Sequence, residues 1–172
     1  MNLLESAEAL GALRGVELAC FARLGERARR VAIPSCALWA ASASRAHAWR
    51  ASLLEGLLPV SAGLPGLAEL TVVPDGPLGV ALARALPVGA SAPVGREGPD
   101  EDGPSLIADL TAHLYPLLLT GYLRRLEAAT PAADGPVVRI LGRAVADLEV
   151  VQAEAALLLS RAAQAPRAGC KP

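Results

Sequence analysis

The stretch PVSAGLPGLAELTVVPDGPLGVALARALPVGASAPVGREGPDEDGP, residues 59–104, separates two regions of helical periodicity. It holds eight of the 14 prolines and eight of the 16 glycines, which interrupt regular secondary structure. Within it, only residues 78–86 have the pattern of one short helix. A connection this long is unusual inside a compact domain, but a bundle of two helical hairpins requires one that travels the length of the bundle. The stretch therefore predicts such a crossover.

Helical patterns flank the crossover on both sides, at residues 3–29 and 35–58 before it and at 105–129 and 136–163 after it. The first pair is separated by VAIP, which ends in Pro34, and the second by TPAADGP, where Asp134 and Pro136 mark a helix start. Short connections make consecutive helices antiparallel neighbours. The sequence thus predicts an all-α fold of two antiparallel helical hairpins, forming a single domain over residues 1–165 and followed by a flexible tail at 166–172.

The composition narrows the function classes. Hydrophobic residues make up 53% of the chain and aromatic residues only 3%, as expected of helices packed through Leu, Ala and Val. A net charge of −1 and a pI near 6.1 provide no general attraction to phosphate backbones, so a nucleic-acid partner is not expected. The one basic patch, RLGERARR at residues 23–30, is interpreted as a solvated helix end.

The N-terminal segment does not have the charge pattern of a signal peptide. The N-terminus, MNLLESAEAL, carries Glu5 and Glu8 where a signal peptide carries positive charge, and no apolar run reaches transmembrane length. The three cysteines have no C-x-x-C spacing and are expected to be reduced. These features predict a cytoplasmic protein with no membrane contact.

Several polar side chains stand within the apolar faces of the predicted helices. They are Glu17 on the first helix, His47 on the second, Tyr122 on the third and Gln152 on the fourth, with Glu149 at the edge of that last face. Asp147 and His113 fall on the solvent sides of their helices. A buried glutamate is costly without a partner, so convergence of these groups predicts a hydrogen-bonded cluster or a site.

Arranged in this way, the sequence resembles the ferritin-like superfamily, which includes rubrerythrins and diiron hydroxylases. Those proteins place a glutamate on the first and third helices and a Glu-x-x-His motif on the second and fourth. Glu17 matches the first glutamate, His47 the second-helix histidine, and Glu149 the fourth-helix carboxylate. Ser44 stands in place of the second-helix glutamate, Gln152 replaces the fourth-helix histidine, and the third helix has no inward carboxylate. The resemblance implies a four-helix bundle with a degenerate diiron site.

Three functions remain open at this point. The leading hypothesis is a non-catalytic bundle that needs no cofactor and acts in binding or assembly, as a homodimer or with a protein partner. In the second, Glu17, His47 and Glu149 retain one divalent metal, iron, in an oxidase or hydroxylase. In the third, the helix surfaces bind RNA or a protein.

Overall fold

The computed structural model describes residues 2–88, 102–130 and 132–164, and these ranges contain helices and loops but no β-strand. The predicted all-α class is confirmed. The helices are α1 (Leu3–Ala28), α2 (Pro34–Glu55), α3 (Leu67–Leu70), α4 (Pro77–Ala85), α5 (Gly103–Asp109), a π-helical segment (Leu110–Leu114), α6 (Tyr115–Glu127) and α7 (Gly135–Gln164). The tail predicted at residues 166–172 lies outside the described residues.

Local signals in the sequence account for several of the helix ends. The side chain of Asn2 accepts a hydrogen bond from the Glu5 amide, and the Glu5 carboxylate accepts one from the Asn2 amide, which forms a capping box at the start of α1. Pro34 and Pro77 occupy the first turns of α2 and α4, where a missing N–H has no consequence. The helical ranges predicted from the sequence therefore agree closely with those observed.

Four long helical stretches build the core. Helix α1 packs antiparallel against α2 along most of its length, and α6 packs against α7. Helix α2 also contacts α7, and α1 also contacts α6. The buried side chains between them are mostly leucines and alanines, as the composition predicted.

The crossover lies against α1, and two glycines permit its close approach. A Cβ atom on Gly15 would lie 2.6 Å from the carbonyl oxygen of Val72, and one on Gly11 would overlap the carbonyl of Leu70. Between these glycines, the Arg14 guanidinium donates a hydrogen bond of 2.6 Å to the hydroxyl of Thr71. Glycines one turn apart thus form a groove on α1 that the crossover backbone occupies.

The basic patch on α1 also holds the crossover. Arg23 donates to the carbonyl of Leu86 at 2.9 Å, and Arg27 donates to that of Ala85 at 2.7 Å. These carbonyls end α4, where cations and hydrogen-bond donors are stabilising. The interpretation of the patch as a solvated helix end is therefore wrong for these two arginines, because both are half-buried against α4.

The third long helix, Gly103–Glu127, changes its winding just before Pro116. The amide of Tyr115 bonds to the carbonyl of Leu110, five residues earlier, which is the π pattern. Because Pro116 lacks an amide hydrogen, the α pattern cannot continue through it unchanged. This helix is also long and apolar enough by composition to cross a membrane, although 39% of its most apolar 18-residue window is buried, and core helices of soluble proteins pass the same test.

Candidate functional site

A cluster of polar side chains lies between α1, α2, α6 and α7. Its members, called here the polar cluster, are Glu17 on α1, His47 and Arg50 on α2, Tyr115 and Tyr122 on α6, and Asp147 on α7. All are fully buried except Asp147, whose side chain is 32% exposed. The cluster thus extends from the centre of the protein to the edge of α7.

Glu17 is the centre of this network. Its Oε1 accepts a hydrogen bond of 2.8 Å from Nε of Arg50 and another from the hydroxyl of Tyr122. Its Oε2 lies 2.5 Å from Nδ1 of His47. Both oxygens are therefore satisfied by donors from two other helices, as a buried carboxylate requires.

Electrostatics keep Glu17 ionised. Burial by itself raises the pKa of the carboxyl group, but electrostatic attraction to the His47 ring and to the Arg50 guanidinium, with the hydrogen bonds that both donate, outweighs it. Together they lower the pKa of Glu17 from 4.5 to about 2. The carboxylate is therefore ionised at neutral pH.

The hydrogen-bond partners of His47 define its tautomer. Burial lowers the pKa of the imidazole below its ordinary value of 6.5, by more than the attraction of Glu17 raises it, so the ring is neutral. The ionised Glu17 needs a donor, and we therefore assign the one ring proton to Nδ1. Nε2 then accepts from the hydroxyl of Tyr115 at 3.3 Å. In this tautomer Nη2 of Arg50, 2.8 Å from Nδ1, contacts the ring without a hydrogen bond.

Arg50 supplies the positive charge of the cluster. Its Nε bonds to Glu17, and its Nη1 bonds to the carboxylate of Asp147. One guanidinium thus lies between two carboxylates that come from helices on either side of α2. Attraction to Glu17 raises the pKa of Arg50 against the effect of burial, which alone would lower it. The guanidinium is a permanent cation.

Two tyrosines complete the cluster from α6. Burial raises the pKa values of the Tyr115 and Tyr122 hydroxyls well above 10, so both keep their protons and act as donors. The Tyr115 ring also packs against His47 and Trp39, with centroid distances of 5.7 and 6.5 Å. Tyr115 directly follows the π-helical segment, so the geometry of that segment helps to orient the Tyr115 hydroxyl toward His47.

Three of the residues predicted from the sequence meet here: Glu17, His47 and Tyr122. Ser44 is buried one turn away, but its hydroxyl donates to the Phe21 carbonyl of α1 at 2.8 Å and takes no part in the cluster.

The two residues of α7 that were predicted to join the cluster, Gln152 and Glu149, lie outside it. Gln152 is half-buried, and its amide donates to the carbonyl of Leu148 in its own helix at 3.5 Å. Glu149 is exposed and does not join Glu17 and His47, so the predicted three-residue metal set is not assembled. The buried side of α7 includes Leu148 and Val151, which turns Glu149 outward.

Sequence reasoning missed Arg50 and placed Asp147 on the solvent side. The first had a usable signal, because Arg50 follows His47 by three residues and must share its helix face. The second had a weaker one. Asp147 lies three residues after Ala144 and four before Val151, both buried, so it borders the true buried face of α7.

The donor set does not fit a metal ion. No group of three His, Cys, Asp or Glu side chains with metal-binding geometry occurs in the described ranges. Both oxygens of Glu17 already face protein donors, and the guanidinium of Arg50 fills the space between Glu17 and Asp147. A cation brought to this position would lie beside a permanent positive charge.

The cavities at the surface of the described ranges lie away from the buried part of the polar cluster. Cavities between α2 and α7, beside the crossover, and between α1 and α6 are lined by other residues. The reactive atoms of Glu17, His47 and Tyr115 are enclosed, since each of these residues has 0% exposure. Comparison with known protein families, with characterised proteins and with solved structures finds no match to this chain.

Proposed function

We propose that this chain is a ferritin-like four-helix bundle that has lost the diiron centre of that superfamily and acts without catalysis, by binding or assembly. In this proposal the polar cluster is the remnant of the metal site. It holds four helices together through hydrogen bonds and charge, and the biological activity belongs to the protein surface. The expected compartment is the cytoplasm.

The observation that carries the proposal is the position of Arg50. A metal centre in a helical bundle balances inward carboxylates with cations. Here the guanidinium of Arg50 balances Glu17 on one side and Asp147 on the other. A permanently charged side chain thus performs the neutralising role without the open coordination positions that metal chemistry needs.

Burial supports the non-catalytic part of the proposal. General acid–base or nucleophilic chemistry requires the reacting group to lie within hydrogen-bond reach of a substrate. Glu17, His47 and both tyrosines of the cluster contact only other protein groups and have no exposed surface. The hydrogen bonds and ion pairs of the polar cluster therefore act on the stability of the folded protein.

Iron loading tests the proposal directly. Iron(II) is added anaerobically to the purified protein, oxygen is admitted, and iron per chain is measured together with the absorption of any oxo-bridged product. We expect far less than one iron per chain and no such absorption. Two tightly bound irons per chain would overturn the proposal in favour of a diiron oxidase, and one would favour a mononuclear site.

A variant sharpens this test. Arg50→Ala removes the cation and leaves Glu17, His47 and Asp147 around the space, a carboxylate and imidazole set that divalent ions prefer. We expect cobalt(II) or zinc(II) to raise the Tm of this variant but not that of the natural protein. Arg45→Ala, on the exposed side of the same helix, is the control. If the metal does not raise the Tm of Arg50→Ala, or raises the Tm of Arg45→Ala equally, the guanidinium does not occupy the position of a metal ion.

A further inference from the structure

A shallow apolar groove of about 370 Å³ runs between the start of α2 and the end of α7. Trp39 forms its floor, and Leu38 and Leu157 stand on its sides with 67% and 59% of their surfaces exposed. Glu154 and Arg161 line it as well. We call this surface the α2–α7 groove.

The residues that α7 contributes to the groove have one helical spacing. They are Glu154, Leu157, Leu158 and Arg161, at positions i, i+3, i+4 and i+7. Such residues share one face of a helix over two turns. The face therefore has two leucines at its centre, an acid at one end and a base at the other.

Neither end charge has a partner among the described residues. Glu154 and Arg161 are both exposed, and neither forms a hydrogen bond or an ion pair in the ranges that the structure covers. Of the two leucines between them, Leu157 is exposed, whereas Leu158 is half-buried and packs against the core. This face is thus apolar in the middle and charged with opposite signs at its ends.

We propose that the α2–α7 groove is the interface of a homodimer in which two copies of α7 pack antiparallel. A two-fold axis that passes between Leu157 and Leu158 places residue i of one copy opposite residue 315 − i of the other. Glu154 then faces the second copy's arginine at 161, and Leu157 faces the second copy's leucine at 158. The pattern is self-complementary, which favours a second copy of this chain over an unrelated partner.

The interface has the anatomy of a small dimer contact. Leu38 and Leu157 leave water when the groove closes, and this apolar burial is the driving force. The two symmetry-related charge pairs lie at the rim, where they set register and orientation more than affinity. The inference rests on the proposed function in one respect, namely that the chain acts through its surface.

The first test measures the mass of the natural protein by light scattering and sedimentation over a concentration series. We expect a concentration-dependent dimer. Leu157→Glu should abolish it, while Val80→Glu, an equally exposed apolar site on α4 outside the groove, should leave it unchanged. Circular dichroism checks that both variants stay folded. We expect that they do, because both substituted side chains are exposed in the natural protein.

The second test uses charge exchange. In a dimer of Glu154→Arg, the arginine at each position 154 faces the arginine at position 161 of the other copy. In a dimer of Arg161→Glu, glutamates face each other at the same positions. Each variant alone should therefore dimerise with an affinity about tenfold lower, or lower still. An equimolar mixture of the two should form the heterodimer. The double variant Glu154→Arg/Arg161→Glu should regain the natural affinity.

Each result decides the matter. The inference would be overturned if the natural protein stays monomeric up to about 100 µM, because a dimer with a higher dissociation constant than that is weaker than ordinary specific association. A dimer that Leu157→Glu leaves intact would also overturn it, as would single charge variants that fail to pair with each other. None of these outcomes affects the metal measurements, so the proposed function would then stand with another partner.

Discussion

Nε of Arg50 lies 2.8 Å from Oε1 of Glu17, and neither side chain has any exposed surface. A buried pair of this kind adds little to stability compared with a well-packed apolar core, because both charges lose their hydration. Loss of one partner has a different effect, since it strands the other charge inside the protein. The pair is therefore most visible when it is broken.

Arg50→Met tests this asymmetry. The substitution keeps much of the side-chain volume but leaves Glu17 without its cation, so we expect a loss of about 3–5 kcal/mol in the free energy of unfolding. Arg45→Met, at an exposed position of the same helix, should change it by less than about 0.5 kcal/mol. Urea unfolding followed by circular dichroism measures both. Equal losses in the two variants would contradict the burial of the pair.

The two histidines provide a second comparison. His47 is fully buried and bonded to Glu17 and Tyr115, whereas His113 is half-buried in the π-helical segment. His47→Ala should lower the free energy of unfolding by more than His113→Ala, because it strands partners at about 1–3 kcal/mol each. Thermal unfolding of the two variants measures the difference. Similar shifts in Tm would show that the His47 contacts have no net effect.

Acid should weaken the protein in two stages. The pKa values of His47 and Glu17 are both lower in the folded state, so each contributes stability above its unfolded value and loses it as the pH falls. The contribution of His47 declines below pH 6.5, and that of Glu17 declines between 4.5 and about 2. Unfolding free energies measured across this range should follow that course. His47→Gln should remove the first decline and Glu17→Gln the second, and unchanged profiles would refute the assignment.

The tyrosines should differ in their effects. Tyr122 donates to the charged Glu17, whereas Tyr115 donates to neutral His47 at the longer distance of 3.3 Å. Hydrogen bonds to charged groups contribute about 1.5–3 kcal/mol and neutral ones about 0.5–1.5 kcal/mol. Tyr122→Phe should therefore destabilise the protein more than Tyr115→Phe in equilibrium unfolding. The reverse order would place the charge on His47.

Substitutions of glycine test the packing of the crossover against α1. Gly15→Ala would bring Cβ within 2.6 Å of the Val72 carbonyl, so the crossover must shift and the protein should be destabilised. Gly142→Ala, at an exposed helical position with nothing within 4 Å, should instead stabilise it by about 0.5–1 kcal/mol. Opposite signs in thermal unfolding are the expected result. Two stabilised variants would mean that the crossover does not rest on Gly15.

Much of the fold followed from local rules. Proline and glycine placement located the helix ends, and periodicity placed Glu17, His47 and Tyr122 in the interior. These positions depend on residues within a few turns of one another, which a single sequence displays.

The remainder depended on packing between helices. The buried face of α7 is turned towards Asp147 because Arg50 and the neighbouring helix α2 determine which side makes contact. Periodicity alone cannot fix that rotation when Leu, Val and Ala lie almost all around the helix. The arginines of α1 were misread for a related reason, since their acceptors lie in the crossover about 60 residues away.

The π-helical segment at Leu110–Leu114 accommodates one extra residue within the third long helix. A π turn contains one residue more than an α turn, so deletion of one residue there would leave an ordinary α-helix. Because the wider turn accommodates the extra residue, the parts of the helix before and after it would keep the same faces toward the core. Leu106 and Ile107 would stay in the core together with Tyr115 and Tyr122. Any alignment of this helix with a straight one must therefore carry a one-residue gap between Asp109 and Tyr115.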